Sequence, residues 1–143
     1  MVLGSIGYGG VEQIREIYPK LSKEGFEILN HIEAKHMDYS GITDFRNKKE
    51  LSKEIVTHDL EYVHKADVLV VYGDLPSYGT GVEGYVAKQE GKTVVLFAEQ
   101  PVPTPWPVHF SDYIATNERE LIDLLHRVRD KCGSNGTILE HSF

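Results

Sequence analysis

The sequence is poor in several features that define large classes of protein. Its 143 residues include a single cysteine, Cys132, which excludes an internal disulfide and is typical of a reducing compartment. No apolar run approaches the ~18 residues that a membrane-spanning helix needs, and the N-terminus carries no signal-peptide pattern. Basic residues number 15 against 22 acidic ones, and the net charge of −7 argues against a nucleic-acid-binding surface. We therefore expect a cytoplasmic protein with no membrane or nucleic-acid partner.

What the sequence does contain is a regular alternation of short apolar runs and amphipathic stretches. The apolar runs are short enough for buried strands, and the stretches between them have helical periodicity. The predicted strands are Val2–Ile6, Phe26–Ile32, Val68–Tyr72, Thr93–Phe97 and Asp112–Ala115, and the predicted helices cover 11–24, 47–65, 80–90 and 118–131. This order predicts one α/β domain with a doubly wound, five-stranded parallel sheet of the Rossmann or flavodoxin type. We place that domain at residues 1–131 and a C-terminal tail at 132–143.

Local signals set several of the boundaries. Gly25 is a predicted C-cap of the first helix. Asn117, followed three residues later by Glu120, is a predicted N-cap of the last helix. Residues 34–46 and the proline-rich stretch 101–107 are predicted loops.

The most informative stretch is the strand-to-helix turn 74–83, Asp-Leu-Pro-Ser-Tyr-Gly-Thr-Gly-Val-Glu. Gly79 and Gly81 allow a ligand to approach the backbone, and free N–H groups at the helix start favour an anion. Ser77 adds a hydroxyl at the same place. A turn that uses proline and glycine merely to change direction explains the glycines equally well. In doubly wound sheets ligands bind beyond the carboxyl ends of the strands, where the strand order reverses, and we expect this turn to border such a site.

Two carboxylates stand out from the helical patterns. Asp59 projects from the middle of the apolar face of the 47–65 helix, where a lone charge is costly unless it is paired or functional. Glu83 lies near the start of the next helix, whose dipole keeps a carboxylate ionised. Each also has a structural explanation: a buried aspartate with a satisfied partner, and a first-turn glutamate that suits the dipole. Two carboxylates near one cleft are what glycosidic bond cleavage requires, one as nucleophile and one as acid/base.

A second glycine-rich turn, Gly4-Ser-Ile-Gly-Tyr-Gly-Gly10, follows the first predicted strand. It lacks the G-x-G-x-x-G spacing of dinucleotide-binding proteins, and a flexible turn explains it as well. At the end of the first strand it would border the same cleft as Ser77. His31, after the second predicted strand, is more simply structural than functional. The seven histidines form no zinc pattern, so we predict neither a metal nor a cofactor.

Taken together, these stretches resemble the nucleoside 2-deoxyribosyltransferase-like superfamily, and within it the 2′-deoxynucleoside 5′-monophosphate N-glycosidases. The most specific likeness is Ala66-Asp-Val-Leu-Val-Val followed by Pro76-Ser-Tyr-Gly-Thr-Gly-Val-Glu83. The other matching stretches are Gly4-Ser5-Ile6, Asn30-His31-Ile32 and Asp59-Leu60-Glu61-Tyr62. The similarity extends over residues 2–98.

The resemblance implies a role for each candidate residue. Glu83 would attack C1′ of the sugar and form a covalent glycosyl-enzyme, and Asp59 would serve the departing base and then the incoming water. Ser77 and the glycine-bearing turns would hold the 5′-phosphate. The positions in those turns are Gly4, Ser5, Ile6, Gly79 and Gly81. The implied protein is a homodimeric hydrolase of (2′-deoxy)nucleoside 5′-monophosphates.

One departure from the family concerns the sugar. Met1 stands where the family has a first-strand tyrosine that is linked to rejection of a 2′-hydroxyl; Tyr8 or Tyr72 could replace it in space. We expect discrimination between deoxyribose and ribose to stay within about a hundredfold, because a hydrophobic pocket rarely excludes one added hydroxyl more strongly.

Two other functions remain open at this stage. A deoxyribosyltransferase shares the covalent intermediate and differs only in its acceptor, although typical transferases take nucleosides without the phosphate that the Ser77 turn would bind. A non-catalytic nucleotide-binding domain would keep the fold without the chemistry, and Met1 in place of the tyrosine favours it.

Overall fold

A computed structural model describes residues 1–135, with side chains through residue 131, and contains four strands and five α-helices there. They alternate along the chain except between the first two strands, where two helices follow each other. The strands are β1 Val2–Leu3, β2 Val68–Tyr72, β3 Thr93–Phe97 and β4 Tyr113–Ala115. The helices are α1 Val11–Lys23, α2 Lys49–Lys65, α3 Tyr78–Gln89, α4 Trp106–Phe110 and α5 Glu118–Asn135. Over these residues no helix is both long and apolar enough to cross a bilayer.

The strands form one parallel sheet in the order β1-β2-β3-β4. Near the C-terminal end of β2, Val71 pairs with Leu3 of β1 on one side and Tyr72 pairs with Phe97 of β3 on the other. Because all four strands run in the same direction, the turns that follow them lie at one edge. The turn after β1 is thus the neighbour of the turn after β2.

Helices cover both faces of the sheet, since successive strand residues point to opposite sides. Val70 and Val95 pack in a core with α1 and α5. Leu69 and Val94 pack in a second core with α2 and α3. The predicted α/β class with helices on both faces of a parallel sheet is confirmed.

The prediction of a fifth strand at Phe26–Ile32 is wrong, and the hydroxyl of Tyr18 explains why. A strand beside β1 would bond to the N–H and carbonyl groups of its outer edge. The Tyr18 hydroxyl occupies that place: it accepts from Val2 N at 3.0 Å and lies 3.1 Å from Leu29 O. Residues 26–32 therefore contact β1 through the Tyr18 hydroxyl and form no ladder of backbone hydrogen bonds with it. Consequently the order of the described strands does not reverse at any point. The prediction that the site lies where the strand order reverses is therefore also wrong.

Other predicted boundaries shift by a few residues. β1 ends at Leu3 rather than Ile6, because the chain turns at once into a short 3₁₀-helix, Ile6–Tyr8. The stretch 101–107 is not entirely loop: α4 begins inside it at Trp106, and Pro107 fits there because the first turn of a helix needs no N–H donor.

The C-terminal boundary remains a prediction. α5 continues four residues beyond the expected end at 131, to Asn135. Residues 136–143, the rest of the predicted tail, lie outside those that the structure describes.

Replacing Tyr18 with phenylalanine tests the interpretation of the β1 edge. Tyr18→Phe leaves the buried Val2 N–H without its acceptor, and we expect a loss of about 1–3 kcal/mol in the free energy of unfolding. Urea denaturation gives that value. Tyr78→Phe is the matched control because Tyr78 is 92% exposed, and it should change stability by less than about 0.5 kcal/mol. Equal stability of the two variants would show that the hydroxyl does not support the edge.

Candidate active site

A hydrogen bond joins the turns that follow β1 and β2. The Ser5 hydroxyl, which is buried, donates to Pro76 O at 2.9 Å. Gly10 packs on the other side of Ser5, where a Cβ atom would lie only 2.8 Å from Ser5 O. At Gly4 a Cβ atom would lie 3.2 Å from Ile14 Cδ1. The first glycine-rich turn is therefore shaped by close backbone packing, and its predicted site residues are held against the second turn.

Ser77 is the N-cap of α3. Its side chain accepts a hydrogen bond from Thr80 N at 3.3 Å, and Gly81 N donates to Ser77 O at 3.2 Å. The two preceding N–H groups, those of Tyr78 and Gly79, have no acceptor among the described residues. They are free to bind an anion at the positive end of the helix dipole.

Glu83 lies one turn further along α3 and folds back toward its start. Its Oε1 is 3.5 Å from the position of a Cβ atom at Gly79, so a side chain there would crowd the carboxylate. Its Oε2 is buried and has no hydrogen-bond partner within the described structure. Because α3 begins at Tyr78, Glu83 belongs to the second turn, where the dipole effect has weakened, and the first-turn explanation no longer applies. Gly81, by contrast, is exposed, and a Cβ atom there would meet nothing within 4 Å.

Asp59 occupies the middle of the buried stripe of α2, between Ile55 and Val63. Only 7% of the residue is exposed, and its Oδ1 has no hydrogen-bond partner in the described part of the chain. The predicted position on the apolar face is confirmed. The alternative explanation, a buried aspartate satisfied by a partner, fails for this oxygen.

The charge of Asp59 acts on the titration of Glu83. Burial raises the pKa of Asp59 to about 7. Burial, and after it the negative charge of Asp59, raises the pKa of Glu83 to about 8. Near neutral pH the pair therefore retains protons that exposed carboxyl groups would have lost, and its two titration steps belong to the pair. Two carboxyl groups with raised pKa values can supply an acid and a base near neutral pH.

The sequence did not reveal two polar groups near the pair. Thr80 Oγ1 is buried without a partner in the described structure. Thr80 precedes Glu83 by three residues, and this helical spacing, which puts both side chains on one face of α3, could have identified it. Tyr39, from the loop 34–46, lies within the electrostatic field of both Asp59 and Glu83. No local pattern marks Tyr39, because its position depends on how a long loop folds back.

The remaining candidates have surroundings that favour structural roles. His31 is buried; its Nδ1 is 3.3 Å from the Tyr18 hydroxyl, and its carbonyl oxygen is 3.0 Å from His58 Nε2. Burial lowers the pKa of His31 to about 3, which keeps the ring neutral. No three His, Cys, Asp or Glu side chains in the described part of the chain are grouped so that they could hold a metal ion.

Tyr8 and Tyr72 are the two candidates to replace the first-strand tyrosine that the family has at the Met1 position. No contact in the described structure links either of them to Asp59 or Glu83. Tyr8 is 69% exposed. Tyr72 packs on Phe97, and burial, followed by a different set of carboxylates led by Glu118, raises its pKa to about 12.

The raised pKa values predict how stability depends on pH. The unfolded chain loses the Glu83 proton near its ordinary pKa of 4.5, whereas the folded chain holds it until about 8. Over that interval ionisation favours unfolding, so wild-type stability falls as pH rises. Glu83→Gln should gain stability relative to wild type between pH 5 and 8, as measured by urea denaturation at several pH values. Glu61→Gln, at an exposed position of α2, is the control. Parallel curves for wild type and Glu83→Gln would contradict the raised pKa.

Comparisons with known proteins identify the fold. No family model matches this sequence, and no curated protein matches it. The structure is similar to that of the CMP N-glycosidase BcmB from Clostridium botulinum, with a TM-score of 0.54 and 17% identity. The match covers 88% of this chain and 97% of that one. The chain thus has the fold of an N-glycosidase, in agreement with the fold that the resemblance implies.

Proposed function

We propose that the protein is an N-glycoside hydrolase that releases the base from (2′-deoxy)nucleoside 5′-monophosphates. One observation carries the proposal: α2 and α3 bring Asp59 and Glu83 together, each with a buried oxygen that has no partner in the described structure. Unpaired buried carboxylates are costly, and such perturbed pairs are typical of catalytic sites. The fold is similar to that of a CMP N-glycosidase, so CMP is the first substrate to test.

In the proposed reaction Glu83 is the nucleophile. Its ionised oxygen bonds to C1′ while the C1′–N bond breaks, and the electron pair of that bond leaves with the base. Asp59 supplies the proton that the departing base needs. Water then attacks C1′ and gives a proton to Asp59, which releases Glu83 and restores both groups. This division requires one ionised and one protonated carboxyl group. In the protein without ligand the pKa of Glu83, about 8, lies above that of Asp59, about 7, so the proposed reaction requires the proton to pass from Glu83 to Asp59 before the attack.

The start of α3 is the proposed phosphate site. The free N–H groups of Tyr78 and Gly79 supply donors, and the Ser77 hydroxyl lies beside them. Gly79 leaves room for Glu83 close to that site. The proposed site also includes Gly4, Ser5 and Ile6, because the hydrogen bond from Ser5 to Pro76 joins their turn to the turn before α3. Gly81 belongs to it only through the resemblance.

Three further parts of the interpretation remain predictions: a homodimer, a cytoplasmic location and weak discrimination between ribose and deoxyribose. The transferase alternative is tested by adding a second base during turnover, since a transferase would form a new nucleotide. A non-catalytic binding domain would be stabilised against heat by nucleotides and would release no base.

Glu83→Gln tests the nucleophile. Removal of the attacking oxygen should cost a few kcal/mol of transition-state stabilisation, which lowers kcat for base release from CMP by about a hundredfold to a thousandfold. Mass spectrometry of wild-type enzyme quenched during turnover should show a sugar-phosphate adduct on Glu83. An adduct on another residue would overturn the assignment, and equal base release by both proteins would reject the hydrolase.

Ser77→Ala tests the phosphate site, and Ser77→Asn separates that role from helix capping. Both serine and asparagine are good N-caps, so Ser77→Ala should lose about 1 kcal/mol of stability and Ser77→Asn little. If the serine hydroxyl contacts phosphate, both variants should bind CMP more weakly in calorimetry but leave cytidine binding almost unchanged. Equal losses for CMP and cytidine would show that Ser77 does not bind the phosphate.

A further inference from the structure

The loop 34–46 is fastened to the body of the protein around Tyr39. Asp38 forms an ion pair with Arg15 of α1. The same carboxylate accepts a hydrogen bond from Ser40 N at 3.1 Å, which closes a turn around Tyr39. Tyr39 is therefore presented by a braced segment of the loop.

The Tyr39 ring lies over the turn that follows β1. Its Cε2 is 3.8 Å from the position of a Cβ atom at Gly7, so the ring and this turn are in close proximity. Phe45 supports the ring edge-on, with centroids 5.5 Å apart and an angle of 88° between the planes. The side chain is half-buried, and its position is set by contacts on two sides.

The Tyr39 side chain, beside the turn that follows β1, lies within the electrostatic influence of the carboxylate pair. Burial, and after it the charges of Asp59 and Glu83, raises its pKa to about 12. The same carboxylates act on Tyr18, but the Tyr18 hydroxyl is already engaged with Val2 and Leu29. The Tyr39 hydroxyl has no hydrogen-bond partner among the described residues.

We propose that Tyr39 is a ligand-contacting residue of the Asp59–Glu83 site and donates its hydroxyl hydrogen to the bound nucleotide. The site then combines a free donor, the Tyr39 hydroxyl, with two oxygens, on Asp59 and Glu83, that lack a donor in the described structure. A ligand with hydroxyl groups that both give and accept hydrogen bonds, such as the sugar of a nucleotide, satisfies both sides. That the ligand is a nucleotide rests on the proposed function. The position of the Tyr39 hydroxyl near Asp59 and Glu83 does not depend on it.

The placement is tested without a ligand. In protein labelled with ¹³C at tyrosine Cζ, the Tyr39 resonance is assigned by its loss in Tyr39→Phe. Glu83→Gln and Asp59→Asn should each move the titration of that resonance to lower pH, because a nearby negative charge is removed. Glu50→Gln, at an exposed position of α2, should leave it unchanged. An unchanged titration in both site variants would overturn the proposal.

The contact is tested with CMP. Tyr39→Phe should lower kcat/KM by about tenfold, the scale of one lost hydrogen bond, and CMP should shift the Tyr39 resonance. Tyr85→Phe, which removes a hydroxyl from the outer face of α3, should have no effect.

The outcomes separate the two proposals. Equal kcat/KM for wild type and Tyr39→Phe, with no shift of the resonance, would overturn the role of Tyr39 alone. No base release by wild type would reject the hydrolase, and the CMP-induced shift would still decide whether Tyr39 contacts the nucleotide. If calorimetry shows that CMP does not bind, both proposals fail.

Discussion

The unpaired carboxylates of Asp59 and Glu83 are the constraint around which this molecule is organised. A buried carboxyl group without a partner destabilises the folded state, and here the contacting helices α2 and α3 each carry one. The rest of the fold offsets that penalty. Ile55 and Val63 hold Asp59 inside by packing on either side of it. The cap at Ser77 fixes the start of α3, and with it the position of Glu83.

The sheet determines where this pair lies. Its strands are parallel and follow chain order, so the turns after β1 and β2 are neighbours at the carboxyl edge. The bond from Ser5 to Pro76 makes the two turns one structural unit. Gly10 can pack against Ser5 only because it lacks a side chain. The site therefore does not depend on a reversal of strand order, which the described sheet lacks.

Features that follow from local chemistry were predictable from the sequence. Asp59 interrupts an apolar helical stripe, and the pattern alone places it inside. Asn117 caps α5 as predicted, with Glu120 N donating to its side chain at 2.9 Å. The failures depend on contacts between distant residues: Phe26–Ile32 has the composition of a strand, but periodicity cannot show that the Tyr18 hydroxyl occupies the edge it would join. Tyr39 could not be predicted for the same reason: it lies twenty residues before Asp59 in the chain, and periodicity does not show contacts between distant residues.

The electrostatics of the cleft set a condition on any anionic ligand. The chain carries a net charge of −7, and none of the residues that we assign to the site is lysine or arginine. A phosphate placed near Asp59 and Glu83 adds negative charge to a pair whose ionisation burial already opposes. The free N–H groups of Tyr78 and Gly79 stabilise an anion without introducing a mobile cation. Attraction that comes from fixed dipoles acts within about one helical turn. It would therefore hold the proposed phosphate at the start of α3 and leave Glu83, in the second turn, available as the proposed nucleophile.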